Sequence, residues 1–454
     1  MNKILLIGLI NSILLSQSIP FIKGVDISML DQIEDNSGIF YDNGIEIDPI
    51  PFFKSRGVNT VRLKIWHTPI MGYNNIESTL EMAERIKQSE LDFLLNFHYS
   101  DTWSDPSNQE KPLAWQNLNF ANLCDSIRQY SYHVITKLKN QNTLPNFVQV
   151  GNETDCGILW PDGYVCGESN NEAQWDNLRS LFIHAIEGIN LALDNNDTLK
   201  IISHVSSGGT WFFENLFDQD IAIDFLGISY YPMWHGTMGD LSQNIYDLGQ
   251  QFQKPVFIME TAYPFTLSWN DDTNNIVGLE SQLLDEYEAT PEGQFSFLND
   301  LILLMSEDEY GSGIFYWSPE WISTNEFGSP WENQALFDFN GETLDAASVF
   351  DNSNVSIKKI INSSLPHSFN YPNPFNSYTV INYKLLHNEL VNINIYDLKG
   401  NNIKFLINKN KSEGFHSVLW DGTNNFGEIM PTGMYIYTIQ VDEFIASQKI
   451  MLLK

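Results

Sequence analysis

Between residues 22 and 350 the chain switches eight times between a short β-rich run and a stretch of helical periodicity. The strand candidates are Gly24–Ser28, Asn59–Ile65, Leu91–His98, Phe147–Gly151, Lys200–His204, Asp224–Tyr230, Pro255–Glu260 and Gly313–Trp317. Helical patterns fill the gaps, as in residues 76–90 and 120–140. Eight strands alternating with helices predict an α/β fold of the (β/α)8 TIM-barrel type. A doubly wound open sheet is the alternative, but no GxGxxG or GxxxxGK[ST] phosphate loop occurs. The barrel domain is expected over 22–348. Residues 349–366 are polar, lack a core pattern and read as a linker. From 367 to 454, four runs alternate with period two and are punctuated by Asn and Gly, which predicts a small antiparallel all-β sandwich.

Residues 1–16 have a lysine start and a short apolar core, so they read as a secretory signal rather than a membrane span. No later stretch reaches about eighteen apolar residues, so no membrane span is expected. Export permits disulfides. Cys156 and Cys166 flank one loop and could bridge it, whereas Cys124 lies on a helical pattern and reads as a small buried hydrophobe. With 24 Lys+Arg against 57 Asp+Glu, the formal net charge is −33. That balance argues against a nucleic-acid partner, which would need a basic patch.

In such barrels the chemistry sits at the C-terminal ends of the strands. The polar or aromatic residues there are Asp26, Arg62, His98, Asn152 with Glu153, His204, Tyr230, Glu260 and Trp317. Two glutamates stand out. Glu153 follows the fourth run and Glu260 ends the seventh, so they should face each other across the barrel mouth. Such a pair suits glycoside hydrolysis: one acid protonates the leaving oxygen, the other attacks the anomeric carbon or activates water. At ~5.5 Å and an effective dielectric of ~20, each charge would cost the other about 3 kcal/mol, or about two pKa units. One glutamate would then keep its proton near neutrality. Arg62 is the expected partner of an ionised Glu260, with Tyr230 as a hydrogen-bond donor to the same carboxylate. Asn152 is expected to contact the neighbouring sugar hydroxyl. Trp66, Trp103, Trp160, Trp234, Trp317 and Trp331 lie at strand ends or on rim loops, where flat faces suit sugar rings. Asp105 and Asn108, beside Trp103, are candidates for sugar hydroxyls.

GVDIS (24–28), GVNTVRLKIW (57–66), NFHYSDTWSDPSNQEKPLAW (96–115), VQVGNETDCGILWPDG (148–163), ISYYPMWHGTM (228–238) and METAYPFT (259–266) together resemble glycoside hydrolase family 53, the arabinogalactan endo-β-1,4-galactanases. The resemblance runs in order from residue 24 to about 340. It implies a retaining barrel enzyme with Glu153 as acid/base, Glu260 as nucleophile, and Arg62, Asn152, Tyr230 and Trp317 in supporting positions. His98, Trp103, Asp105, Trp234 and His235 fall in the segments implied to bind substrate. The implied substrate is β-1,4-galactan, cleaved by a monomer that requires no cofactor. Some bacterial members carry a calcium loop after the nucleophile. Here that stretch is SWNDDTNNIVG (268–278), with Asp271, Asp272 and Asn275 as candidate ligands of a structural calcium, but Trp269 and Thr273 replace other expected ligands. The tail segments SFNYPNPFNSYTVINYKL, NIYDLKG and VLWDGTNNFGEIMPTGMYIYTI resemble the type IX secretion sorting domain and the related immunoglobulin-type FlgD fold. They imply export machinery as a partner and a secreted or surface-attached enzyme.

Overall fold

The computed structural model describes residues 20–453 apart from 218, 220, 352–367, 372, 386–387, 413 and 442–443. The expected signal segment and most of the expected linker therefore lie outside the described residues. All eight predicted strands are present, displaced by no more than two residues: β1 (Ile22–Asp26), β2 (Thr60–Ile65), β3 (Asp92–Phe97), β4 (Phe147–Val150), β5 (Lys200–Val205), β6 (Phe225–Tyr230), β7 (Val256–Thr261) and β8 (Gly311–Trp317). They close a parallel barrel in sequential order, with β8 paired to β1.

The outer layer holds α1 (Pro49–Ser55), α2 (Ile76–Gln88), α3 (Phe120–Asn140), α4 (Glu172–Leu191), α5 (Thr210–Leu216), α6 (Met238–Phe252) and α7 (Pro291–Glu307). A 3-10 turn at Asp345–Phe350 takes the eighth place. Six of these helices start on an Asp, Asn or Thr whose side chain accepts a backbone N–H of the first turn: Asp48, Asn75, Asn119, Asn171, Thr237 and Thr290. Such caps satisfy donors that the helix itself leaves open. In α3, Leu123, Cys124, Ile127, Val134, Ile135 and Leu138 form the buried stripe, so Cys124 is indeed a core residue. Val349 and Phe350, expected in the linker, are buried against the barrel instead, and Lys23 Nζ donates to the Phe350 carbonyl at 2.8 Å. Two adjacent apolar side chains at the start of a stretch without core periodicity are too weak a signal to move that boundary.

Inside the barrel, side chains two apart along a strand share a face. Ile22, Leu94, Phe147, Ile202, Phe225, Phe257, Met259 and Phe315 form an apolar plug. Two residues further along, Leu94, Phe147 and Ile202 give way to Asn96, Gln149 and His204. Four further, Ile22 and Phe225 give way to Asp26 and Ser229. Gly24 lies between the first pair; a Cβ there would come within 2.2 Å of the Phe315 ring. On these five strands the interior turns from apolar to polar toward the C-terminal end.

Residues 352–454 form a separate unit. The described strands make a three-stranded sheet (Ser368–Tyr371, Thr379–Leu385, Gly414–Trp420) and a four-stranded one (Asn402–Lys411, Glu389–Asp397, Gly433–Val441, Phe444–Leu452), all pairs antiparallel. Ile381, Tyr383, Ile393, Ile395, Trp420, Tyr437 and Ile439 fill the space between them.

Candidate active site

Arg62 is the third residue of β2, not its last, and projects into the upper barrel with only 1% of its surface exposed. Nη1 donates to Asp26 Oδ2 at 2.7 Å, and Nε donates to Gln149 Oε1 at 3.1 Å. Nη2 is shared between Asn152 Oδ1 at 2.7 Å and Glu260 Oε1 at 3.0 Å. One nitrogen therefore links the end of β4 to β7. Glu260 reaches it through a β-bulge: Ile228 pairs with Ile258, but Ser229 pairs with Glu260. The extra residue, Met259, stays in the apolar plug, and the bulge turns Glu260 inward where strict alternation would turn it out.

The second oxygen of Glu260 accepts from the Tyr231 hydroxyl at 3.2 Å. This corrects the expectation for Tyr230. Tyr230 points out of the barrel, stacks on Phe297 of α7 with centroids 6.2 Å apart, and donates to the Gly236 carbonyl. In the doublet Tyr230-Tyr231 the residue types are identical, so only strand parity decides: Ser229 faces in, hence Tyr231 does also. His235 supports this placement, because its Nδ1 accepts the Tyr231 backbone N–H at 3.0 Å.

Glu153 follows a tight turn with Gly151 at φ 80° and is itself at φ 45°. That left-handed conformation is costly for a side chain that is not glycine and is retained chiefly at functional positions. Glu153 Oε1 accepts from the Ser229 hydroxyl at 2.5 Å. Ser229 is the ladder neighbour of Glu260, so both carboxylates meet at the same point of the rim. Asn152 is fixed between them. Its Oδ1 also accepts from Asn96 and Gln149, and its Nδ2 donates to the Ser104 carbonyl at 2.9 Å.

The two glutamates differ in their partners. Burial, and then the charge of Glu260, push Glu153 well above the usual carboxylate range. Burial also raises Glu260, but the Arg62 charge and the hydrogen bonds from Arg62 and Tyr231 oppose that rise. The guanidinium makes Glu260 the ionised member of the pair. Tyr231 is pushed well up by burial and by both carboxylates, so it remains a hydroxyl donor.

Aromatic rings line the rim. Trp103 stacks on Trp321 at 6.3 Å and meets Trp66 and Trp317 at 5.3 and 5.8 Å. Trp317 meets Trp331 edge-on at 4.6 Å, and Trp331 meets Tyr231 at 5.5 Å. Trp234 is 60% exposed and packs edge-on to Tyr231. Below this wall Lys64 Nζ lies 4.1 Å from the Trp103 ring centroid. Burial lowers its pKa to about 8. Sequence reasoning did not single out Lys64, Gln149, Ser229, Tyr231 or Trp321. The inward parity of β2, β4 and β6 would have flagged the first four.

Other candidates prove to hold loops. His98 is buried; its Nδ1 accepts the Ser104 N–H at 3.1 Å, and burial with the Lys64 and Arg62 charges keeps it neutral. Asp105 accepts the Ser107 N–H and hydroxyl, and Asn108 donates to the Trp103 carbonyl. Trp160 donates to the Cys156 carbonyl and packs on Tyr164, in the loop that the Cys156–Cys166 disulfide closes.

The calcium candidates Asp271 and Asn275 are engaged by other protein groups. Asp271 accepts from Thr273 N at 2.5 Å, Ser329 N at 2.8 Å and Ser323 Oγ at 2.7 Å, which engages both its oxygens. Asp272 is exposed, and Asn275 is buried and donates to the Ser268 carbonyl. Among the described residues no group of three or more His, Cys, Asp or Glu is gathered for a metal. Calcium takes six to eight oxygens, and these three side chains do not supply a cage for it.

Residues 22–350 match glycosyl hydrolase family 53. The chain belongs to that family. It is 32% identical over 332 residues to an arabinogalactan endo-beta-1,4-galactanase of Cellvibrio japonicus, covering 70% of this chain and 87% of the relative. Among solved structures, the GH53 catalytic domain of Ignisphaera aggregans superposes with a TM-score of 0.68 at 35% identity, covering 74% of this chain and 97% of that one. A structure from a study of two fungal beta-1,4-galactanases gives a TM-score of 0.64 at 28% identity, covering 73% and 99%. Residues 383–443 match the FlgD Ig-like domain.

Proposed function

We propose that this member of family 53 is an endo-β-1,4-galactanase that cleaves the linear galactan of type I arabinogalactan with retention of configuration. The observation that carries the mechanism is the unequal pair. Glu260 is held by a guanidinium and a phenol, whereas Glu153 is held by the neutral Ser229. The ionised Glu260 attacks C1 of the galactosyl unit while Glu153 gives its proton to the departing glycosidic oxygen. A covalent ester to Glu260 forms as the C1–O bond breaks. Esterification removes the charge on Glu260, so Glu153 becomes a stronger acid and its anion can accept a proton from water. That water attacks C1 and frees the Glu260 carboxylate. Asn152 uses one amide hydrogen on Ser104; an amide nitrogen carries two, and the second serves the hydroxyl beside the reacting carbon. The wall from Trp66 to Trp331 supports stacking of galactose rings. The chemistry needs only the two carboxylates and water, so no cofactor enters.

Incubation with linear β-1,4-galactan should release short oligosaccharides whose new reducing ends begin as the β-anomer by NMR. Products from mannan or cellulose, with none from galactan, would move the assignment to another β-glycanase. The signal-like residues 1–16 and the tail support export, with residues 367–454 as the sorting address of type IX secretion. In a host carrying that machinery, deletion of the tail should leave the enzyme inside the cell envelope; unchanged release to the medium would refute the sorting role.

A further inference from the structure

Around Glu153 the directions of the hydrogen bonds follow from two groups that only donate, the Arg62 guanidinium and the Glu153 backbone N–H. Arg62 has no acceptor atom, so its Nε bond at 3.1 Å fixes Gln149 Oε1 as acceptor. Gln149 Nε2 is then the donor, and its two hydrogens face three acceptors: the Gly151 carbonyl at 2.9 Å, Asn152 Oδ1 at 3.1 Å and His204 Nδ1 at 3.0 Å. The backbone N–H of Glu153 points at the same Nδ1 from 3.3 Å. A backbone N–H only donates, so Nδ1 is its acceptor and carries no proton. His204 is wholly buried, and burial together with the Arg62 charge keeps it neutral. Its single ring proton therefore sits on Nε2, which lies 3.0 Å from Ser229 Oγ. Ser229 must accept that hydrogen, and it turns its own hydrogen to Glu153 Oε1 at 2.5 Å.

We infer that Gln149, His204 and Ser229 form a one-directional hydrogen-bond chain from Arg62 that confines the transferable proton of Glu153 to Oε2. Oε1 faces a donor whether Glu153 is charged or neutral. Only Oε2 can carry the proton, and only Oε2 can hand it to the glycosidic oxygen. In the second half-reaction Oε2 likewise receives the proton of the attacking water. The proposal rests on Glu153 being the general acid. Gln149, His204 and Ser229 are positioning residues: they act through Glu153 and do not touch the reacting atoms. Arg62 thus orders both carboxylates, Glu260 by direct contact and Glu153 through three intermediaries.

The test uses leaving groups. Galactan departs as a sugar alkoxide and needs the proton; a 2,4-dinitrophenyl β-galactobioside departs as a stable phenolate and does not. General acid catalysis contributes ~10²–10⁴-fold. Ser229→Ala keeps the acid but frees its proton to occupy either oxygen and its carboxyl group to rotate away from the glycosidic oxygen. It should therefore lower kcat/KM on galactan about ten-fold while leaving the dinitrophenyl substrate within about two-fold. Ser229→Thr retains the hydroxyl and should restore galactan turnover, and His204→Phe should reproduce the selective loss. The pH profile supplies a second readout. Glu153 faces Glu260 from β7, Asp155 on its own loop, Asp105 from the loop after β3 and Tyr231 from the loop after β6. The Ser229 bond favours the anion against the carboxylates of Glu260, Asp155 and Asp105. Its removal should move the basic limb of kcat/KM to higher pH. Equal losses on both substrates in Ser229→Ala, no loss on either, or a basic limb that stays or moves down would overturn the chain. Glu153→Gln is the control. It should lose galactan cleavage by orders of magnitude yet keep glycosylation by the dinitrophenyl substrate. If that variant retains galactan cleavage, the acid assignment itself falls; if only the Ser229 variant fails to discriminate, the chain alone falls.

Discussion

The lower and upper halves of the barrel interior are built largely from the same strands, with the same inward parity except at the Glu260 bulge, yet they obey different physics. The lower half is a plug of Ile22, Leu94, Phe147, Ile202, Phe225, Phe257, Met259 and Phe315. Phe225 and Phe257 stack with centroids 4.6 Å apart, and Phe147 meets both edge-on. Burial of such rings removes apolar surface from water and stabilises the fold at about 25 cal/mol per Å². The upper half is as buried but polar: Asp26, Arg62, Asn96, Gln149, His204, Ser229 and Glu260 are each at most 7% exposed. Charges withdrawn from water to this depth carry a desolvation cost that their pairing offsets only in part. The lower layer is shaped for stability, the upper for a fixed pattern of charge and protons. The difference teaches that burial by itself does not distinguish scaffold from site; the kind of atom buried does.

Substitutions can break this contrast. The largest effect belongs to Glu260→Gln, which removes the charge that attacks C1. Turnover of galactan should fall by about 10³-fold or more, while the melting temperature stays within a few degrees. A melting transition that collapses along with activity would mean the upper layer is structural after all. Phe257→Ala is the mirror experiment in the plug. It should cost about 3–5 kcal/mol of stability in a denaturant titration, with kcat of the folded enzyme within about two-fold of the parent. A large kcat loss at full folding would erase the division between layers. The finest comparison sets adjacent tyrosines against each other. Tyr231→Phe removes a hydrogen bond to a charged carboxylate, of about 1.5–3 kcal/mol, and should lower kcat about ten-fold or more. Tyr230→Phe deletes only a bond to the Gly236 carbonyl and should leave kcat within about two-fold, registering as a small loss of stability.

Much of this was legible in the residues. The eight strand runs, α3 from Phe120 to Asn140, and the positions of Glu153, Glu260 and Arg62 all follow from periodicity and from polar residues breaking apolar runs. The Arg62–Glu260 contact also follows, since a buried guanidinium seeks a carboxylate. Local pattern misplaced what depends on neighbours. Asp271 looks like a metal ligand by composition, yet Ser323 and Ser329, some fifty residues onward in the chain, engage its oxygens. His98 is legible as a polar strand end, yet its bond to the Ser104 N–H and its neutral state beside Lys64 and Arg62 depend on the folded neighbours.

The sequence alone determined the barrel, its polar rim and the two acids, because those are statements about period and residue type along one strand at a time. The tertiary structure decided which tyrosine serves Glu260, that a bulge at Met259 turns Glu260 inward, and which oxygen of Glu153 is free to hold a proton. Each of these depends on register between strands or on a bond direction relayed through four side chains. No single segment contains that information, since it exists only once β2, β4, β5, β6 and β7 have closed around a common interior.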